Sequence, residues 1–407
     1  MRISTLACVA ALSAALAFTA ACASDSSEDA TVAASPHIDL HDLDVGSFVT
    51  TSGKVGSPNP ARARMVEGQR LGSVAPLAME IDPRFKYQTG HEDNSVYAWL
   101  DPDIAGIRSD DFEADAAGFI AGFFTWGRSE RDLGIAQNIS YSVLLFSDSD
   151  SATHAAHTLY GREIDFQQHV QFSGDTYPHG PVTVDGHPDI LAWSTYDGGL
   201  KAFEASGRFV VHTSVDDQLA SKIHQLDMNE LIDLTTKSMS TITARMATFQ
   251  PTPPDKLTSV PVDHEDILGR TLRRSPTDNW KDTPGFYDRH GALHLSSSPS
   301  EDQRLFAETG MDWMAYNGGR LYRAKDAASA QKILDAHSSL GKMYRLMDAP
   351  KNLPAARCYE YHGDGFAQFR FECFVRYNEF VAEISSNQLI DIRQRTSAQY
   401  AILENPK

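Results

Sequence analysis

The apolar and polar positions after residue 40 fall into the same order twice. In the first half, the apolar run 141–146 predicts a strand, and an acidic cap then begins a helix over about 148–160. In the second half, a strand over 319–323 precedes the same kind of cap and a helix over about 326–338. The repetition predicts two related halves, with a coincidental α+β order as the alternative.

Each half continues as a meander of three strands followed by a long helix. The Asp197-Gly198 pair is a strong hairpin signal within the first meander. The predicted meander strands are 190–196, 200–205 and 209–215 in the first half, and 357–361, 369–375 and 380–384 in the second. The long helices are predicted at about 228–247 and 388–403.

Each half also has a predicted helix upstream, over about 111–126 and 301–308. The first contains an apolar cluster at mostly helical spacing, which predicts core packing, with a lipid-binding face as the alternative: Phe112, Phe119, Ile120, Phe123, Phe124 and Trp126. The order favours an α+β fold of two related halves. Each would be an antiparallel sheet, a three-strand meander plus at least one strand, with helices packed on one face.

Composition divides the chain into five segments. Residues 250–255 contain three prolines, which break a helix and mark a boundary. The predicted organisation is a signal peptide 1–21, a disordered tether 22–40, an N-terminal α+β domain 41–250, a linker 251–290 and a C-terminal α+β domain 291–407.

The N-terminus predicts export. A basic Arg2, an apolar run over 3–21 and small residues before Cys22 are typical of a secretory signal. The segment resembles bacterial lipoprotein signals, although Thr19 stands where those usually carry Leu. The resemblance implies that Cys22 is lipidated and anchors the protein at the outer face of the cell membrane. The same residues fit ordinary signal peptidase, so a soluble secreted protein is one alternative, and a retained membrane span is another.

Net charge limits the classes of binding partner, and the cysteine content predicts a disulfide. A formal net charge of −18 argues against nucleic acid, because phosphate binding needs a basic face. Cys8 lies in the signal and Cys22 is the lipid site, so Cys358 and Cys373 remain to form a disulfide in an oxidising compartment. A hairpin folded about its midpoint places these two cysteines opposite each other, and Glu360 opposite Phe371. No CxxC redox motif is present, which indicates a structural bridge.

Several segments resemble a family of two-domain actinobacterial lipoproteins of unknown function. The matching segments are 42–51, 63–70, 81–83, 249–253, 268–272 and 388–403. The resemblance covers nearly the whole chain after Pro36 and includes the paired cysteines. It implies an N-terminal and a C-terminal α+β domain and lipid anchoring. It supplies no catalytic residue.

The sequence shows no catalytic motif and no cofactor signature. There is no nucleophile elbow, phosphate loop or dinucleotide-binding glycine run. His154 and His157 are weak metal candidates, since surface histidines on a polar helix face are far commoner than ligands. The leading hypothesis is a non-catalytic, lipid-anchored envelope protein that binds an unknown ligand or protein. A hydrolase acting on envelope material and a lipid carrier are the alternatives, and enzyme activity is left open.

Overall fold

The computed structural model describes residues 38–56, 58–88, 98–99, 106–169, 177–274, 284–363 and 369–405. They belong to one compact unit, residues 33–407. The predicted signal peptide, Cys22 and most of the predicted tether lie outside the described residues.

The first sheet is antiparallel throughout and contains seven strands in the described part of the chain. These are β1 (Ala98–Trp99), β2 (Phe119–Arg128), β3 (Gln137–Phe146), β4 (Gly180–Val182), β5 (Leu191–Ser194), β6 (Leu200–Ser206) and β7 (Phe209–Asp217). Their order across the sheet is β1-β2-β3-β7-β6-β5-β4. The predicted meander corresponds to β5, β6 and β7.

The second sheet repeats that arrangement strand for strand. Its described strands are β8 (Gly285–Asp288), β9 (Trp313–Tyr316), β10 (Arg320–Arg323), β11 (Tyr344–Met347), β12 (Arg357–Tyr361), β13 (Phe371–Tyr377) and β14 (Phe380–Ser386). Their order is β8-β9-β10-β14-β13-β12-β11, which matches the first sheet position by position. The segment 251–290, predicted as a linker, thus supplies the edge strand β8. The predicted α+β fold with two antiparallel sheets is confirmed.

Ten α-helices are described. They are α1 (Pro60–Gly72), α2 (Ala78–Ile81), α3 (Phe112–Asp115), α4 (Ser149–His169), α5 (Gln218–Lys222), α6 (Met228–Met246), α7 (Arg289–Leu293), α8 (Pro299–Thr309), α9 (Ala327–His337) and α10 (Leu389–Glu404). The predicted acidic caps are present, since Asp148 accepts from the Ser151 N–H and Asp326 from the Ser329 N–H, at 2.8 and 2.7 Å.

The helices cover both faces of each sheet, so their predicted placement on one face is wrong. Helix α4 packs on the face that carries Leu144 and Val210, whereas α6 packs on the face that carries Val143 and Val211. Helices α9 and α10 divide the faces of the second sheet in the same way. The physical reason is that runs such as 141–146 are apolar at every position except Ser142, and a strand that is apolar on both faces must be covered on both.

The helix predicted over 111–126 is also wrong. Helix α3 ends at Asp115, and the apolar cluster after it forms strand β2. Gly118 separates the two at φ +88°, a left-handed conformation that ends the helix and that side chains rarely adopt. Consecutive residues of β2 pack into different cores, with Phe123 on one face and Phe124 on the other. Aromatic residues on both faces of a buried strand imitate helical spacing.

The two halves share one continuous core. A single cluster of buried apolar side chains extends from Phe123 and Val143 of the first half to Phe306 and Met314 of the second. Polar contacts cross the same boundary. His294, at the end of α7, lies 2.9 Å through Nδ1 from Thr125 Oγ1 of β2 and 3.1 Å through Nε2 from the Ala75 carbonyl oxygen.

A disulfide joins Cys358 of β12 to Cys373 of β13. The predicted hairpin register is confirmed, because Cys358 pairs with Cys373 and Glu360 with Phe371. Both cysteines are fully buried against the side of the sheet that α10 covers.

Candidate functional site

A polar cavity of about 470 Å³ lies over the α9-facing side of the second sheet. We call it the C-terminal cleft. It is lined by residues from β10, β13, β14, α8, α9 and the loop 338–341. Ser296–Ser298, which precede α8, and Arg131 of the first half also line it. Most of its lining side chains are polar or charged.

The register of three strands places the charged floor of the C-terminal cleft. Glu383 of β14 pairs with Arg320 of β10 on one side and with Phe374 of β13 on the other. Since residues two apart on a strand share a face, Tyr322 and Glu372 join Arg320 and Phe374 on the side facing α9. Four polar side chains therefore converge where the sheet passes under α9.

His337, the last residue of α9, is bound between two carboxylates. Its Nδ1 lies 2.5 Å from Glu383 Oε1, and its Nε2 lies 3.1 Å from Asp302 Oδ1 in the first turn of α8. Ionised carboxylates only accept, so both ring nitrogens donate and the imidazole is protonated. Burial lowers the pKa of His337, but the charges and hydrogen bonds of Glu383 and Asp302 outweigh it and raise that pKa to about 10.

Glu383 ties His337 to the neighbouring strand. Its Oε2 accepts from Tyr322 Oη at 3.4 Å and lies 3.6 Å from Arg320 Nη1. Each of these side chains has less than a fifth of its surface exposed. We call His337, Asp302, Glu383 and Arg320 the buried charged network.

Glu372 sits beside this network with a different environment. It is 8% exposed, and its Oε1 accepts one hydrogen bond from Tyr344 Oη at 3.0 Å. Burial, with a smaller contribution from the negative charge of Glu383, raises the pKa of Glu372 to about 7. Burial and the negative charge of Glu372 raise the pKa of the Tyr344 hydroxyl, which therefore stays protonated as the donor.

The first sheet carries neutral residues at the strand positions that match Glu383 and Arg320. Phe203 and Ser142 flank His212 of β7 as Phe374 and Arg320 flank Glu383 of β14. Burial lowers the pKa of His212 well below its usual 6.5, so its ring is neutral.

The helix above shows the same difference. Leu159 lies as far beyond the capping Asp148 of α4 as His337 lies beyond Asp326 of α9. Leu159 is fully buried in an apolar cluster. His212, Ser142 and Leu159 stand in the first half where Glu383, Arg320 and His337 stand in the second. The fold therefore accepts neutral residues at these three positions, and the first half does not repeat the buried charged network there.

Family models match both halves of the chain. The N-terminal domain of unknown function DUF7373 matches residues 55–262, and the C-terminal domain of the same name matches residues 267–406. The chain belongs to the DUF7373 family. The resemblance to a two-domain family of unknown function is thereby confirmed, and the C-terminal cleft lies mainly in the DUF7373 C-terminal domain.

One solved structure with a weak likeness to this DUF7373 protein is the extracellular domain of PknH from Mycobacterium tuberculosis. The match has 16% identity and a TM-score of 0.28, and it covers 44% of this chain and 96% of that one. No curated protein matches the sequence. Among the described residues, no helix is both long and apolar enough to cross a membrane.

The residues singled out from sequence are placed apart from the C-terminal cleft. His154 and His157 are exposed on α4, and no group of three potential metal ligands occurs in the described part of the chain. The disulfide lies on the opposite side of the second sheet from the cleft. Cys22 lies outside the described residues.

The charged residues of the DUF7373 cleft were missed because they are far apart in sequence. Asp302, Arg320, His337, Glu372 and Glu383 share no motif spacing. One signal was available. An alignment of the halves sets Phe209-Val210-Val211-His212 against Phe380-Val381-Ala382-Glu383. The second half thus carries the carboxylate of Glu383, at a position that faces α9, where the first half carries His212.

Proposed function

We propose that this DUF7373 protein is an exported envelope protein that is held at the outer face of the cell membrane by a lipid on Cys22. Its body binds a small polar ligand in the C-terminal cleft and does not catalyse a reaction. The observation that carries the binding role is the buried charged network, which the matching positions of the first half lack.

The cost of this network supports a binding role. Removing charges from water is expensive, and a buried ion pair seldom adds stability over well-packed apolar residues. The first half packs Leu159 and a neutral His212 at the same places, so folding alone does not require the charges. A pre-formed cleft with a few convergent polar groups is the usual form of a small-molecule site.

Hydrolysis of the serine type is less consistent with this cleft than binding. A hydrolase of the serine type needs a hydroxyl bonded to a neutral imidazole that can accept its proton. His337 instead donates from both nitrogens and has a pKa of about 10, so it has no free lone pair near neutral pH. A catalytic base is therefore not supplied by the histidine in the cleft.

Lipid carriage is also less consistent with the described residues. A lipid tail needs an apolar cavity, whereas the C-terminal cleft is lined mainly by charged and hydroxyl side chains. Phe123, one of the aromatics considered for a lipid-binding face, is completely buried in the shared core.

Two tryptophan variants test the cleft as the binding site. A Cβ added to Gly341, which lines the cleft, meets no atom within 4 Å, so Gly341→Trp adds bulk there without displacing its neighbours. Gly161→Trp on α4 is the matched control, since its Cβ is equally free and lies outside the cleft. The probes are glucose, 1,5-pentanediol, 1,5-diaminopentane and glutarate, titrated against the isotopically labelled protein by nuclear magnetic resonance.

We expect at least one probe class to shift signals of cleft residues in the wild type and in Gly161→Trp, and to lose this effect in Gly341→Trp. If no probe distinguishes Gly341→Trp from the control, the proposed binding site is wrong.

The anchor is tested on protein extracted from membranes. Intact mass should show cleavage before Cys22 and a diacylglycerol adduct, and Cys22→Ser should release the protein from the membrane fraction. An unmodified N-terminus at Ser24 would refute lipidation and leave a secreted protein.

A further inference from the structure

The cations of the C-terminal cleft already have partners. His337 and Arg320 are held by Glu383, and His337 also by Asp302. Arg131 donates to Ser298 Oγ at 3.3 Å, lies 3.9 Å from a Glu301 oxygen and has its guanidinium 4.7 Å from the centre of the Tyr87 ring. Each of these cations therefore has a carboxylate close to it before a further carboxylate is counted, and Arg320 acts on that further carboxylate only through its charge, which lowers its pKa without an ion pair.

Glu372 is that further carboxylate. Its one hydrogen bond is the one from Tyr344, and it forms no ion pair with any residue that the structure describes. More than nine-tenths of its surface is buried, yet it lines the cavity. A buried carboxylate without a cation is unfavourable, so it must hold a proton or acquire a positive partner.

The matching position of the first half again shows that folding does not dictate this group. Glu372 pairs with Ser385 as Lys201 pairs with Ser214, two residues before the matched phenylalanines Phe374 and Phe203. The first half thus carries a lysine where the second carries a carboxylate. Lys201 lines a smaller cavity of about 230 Å³ at the matching place of the first half, so the two halves differ there in the sign of the charge that faces the cavity.

We propose that the ligand of the C-terminal cleft carries a positively charged nitrogen, which binds the Glu372 carboxylate in exchange for its proton. This inference rests on the proposed binding function and specifies the ligand class. On binding, an alkylammonium group donates N–H to the carboxylate, and the proton that Glu372 held passes to solvent. Charge is conserved, because one cation enters the site and one leaves.

His337, Tyr322 and Tyr344 keep their protonation state while Glu372 exchanges its proton. The titratable or charged groups that face it are Glu383 on β14, Arg320 and Tyr322 on β10, Tyr344 on β11, Tyr359 on β12, His337 on α9, Asp302 and Glu301 on α8, and Arg131. His337 has a pKa of about 10 and stays cationic. The pKa values of Tyr322 and Tyr344 are raised, so both stay neutral. The pKa of about 7 places Glu372 at its titration midpoint near neutrality.

Isothermal titration calorimetry of the purified full-length protein tests the exchange. The probes are 1,5-diaminopentane and 1,5-pentanediol, which have the same length and differ in charge. If only ionised Glu372 binds the diamine, its affinity should rise about tenfold from about pH 6 to about pH 8. Titrations in buffers of different ionisation enthalpy should show proton release for the diamine and none for the diol.

Glu372→Gln removes the charge and keeps the acceptor for Tyr344. We expect it to weaken diamine binding at least tenfold and to abolish the pH dependence. Glu360→Gln is the control, because Glu360 lies on β12 outside the cleft and pairs with Arg370. Thermal unfolding of each variant confirms that it is folded. Diamine binding that is independent of pH, or unchanged in Glu372→Gln, overturns the proposal.

The Gly341→Trp variant separates this inference from the proposed function. If glucose, the diol or glutarate binds and is blocked by Gly341→Trp while the diamine does not bind, the cleft is a ligand site but its ligand is not a cation. If no probe is blocked, the proposed function fails and the inference with it.

Discussion

Glu383 and His212 occupy the same position in the two sheets of this protein. Each lies opposite a phenylalanine on one neighbouring strand, Phe374 and Phe203 respectively, on the side facing the capped helix. The His212 ring stacks on Phe203 with centroids 4.6 Å apart, whereas Glu383 binds His337 and Arg320. One backbone arrangement thus accommodates a neutral aromatic stack in one half and an ionic network in the other.

The first prediction concerns His337. Replacing it with leucine, the residue at the matching position of α4, leaves Asp302 and Glu383 buried without their shared cation. We expect this to lower the free energy of unfolding by about 3–5 kcal/mol, measured by urea denaturation near neutral pH. The variant His337→Leu, Asp302→Asn, Glu383→Gln, Arg320→Gln removes all four charges of the network together and should lose much less. Equal losses in the two variants would contradict a charge-based explanation.

The same histidine predicts a loss of stability in alkali. Its pKa in the folded protein is about 10, above its usual 6.5, so its stabilisation is complete below about pH 6.5 and is lost as the pH rises through about 10. The wild type should therefore lose stability across this window, and His337→Leu should lose less.

Replacing Glu372 should have the opposite effect on stability from replacing His337. Its folded pKa of about 7 lies above the usual 4.5, so its contribution is favourable below about pH 4.5 and is lost as the pH rises through about 7. Above that, ionised Glu372 destabilises the folded state. In urea denaturation, Glu372→Gln should have a free energy of unfolding about 3 kcal/mol above that of the wild type near pH 8, and the difference should shrink near pH 5. A variant less stable than the wild type at both pH values would show that the carboxylate is structural.

Thr125 tests the contact between the halves. The Ala75 carbonyl can only accept, so His294 carries its proton on Nε2 and accepts through Nδ1 from the Thr125 hydroxyl. Thr125→Val should cost about 1–3 kcal/mol, because it leaves a buried acceptor without a donor. Thr213→Val is the matched control, since Thr213 is equally buried and its hydroxyl has no partner. If both variants lose the same stability, the hydrogen bond does not hold the halves together.

The disulfide should matter for stability. Cys358 and Cys373 are 15 residues apart, and closing a loop of that size contributes about 3 kcal/mol in the chain-entropy model. Cys358→Ser with Cys373→Ser should lower the free energy of unfolding by about this amount, and the reduced wild type should behave in the same way. An oxidised wild type no more stable than the double variant would show that the bridge adds nothing.

Much of the fold could be predicted from local patterns. The helices α6, α9 and α10 and the meander strands begin and end within a few residues of the predicted positions, because their periodicity, caps and turn residues act locally. The pairing of Cys358 with Cys373 followed from a hairpin whose turn lies at its midpoint. Strand β2 could not be predicted, since its aromatics face two cores and produce no alternation.

The sequence by itself determined most of the elements, the two-part organisation and the disulfide register, all of which depend on neighbours along the chain. Only the tertiary structure decided which strands are adjacent and hence that Glu383, Arg320, His337 and Asp302 meet in one cleft. Their interaction depends on strand order and on a helix crossing the sheet, and such long-range pairing leaves no fixed spacing in the sequence. The raised pKa of Glu372 depends on the same convergence, because burial and the neighbouring carboxylate act on Glu372 only once the sheet and the helices enclose it.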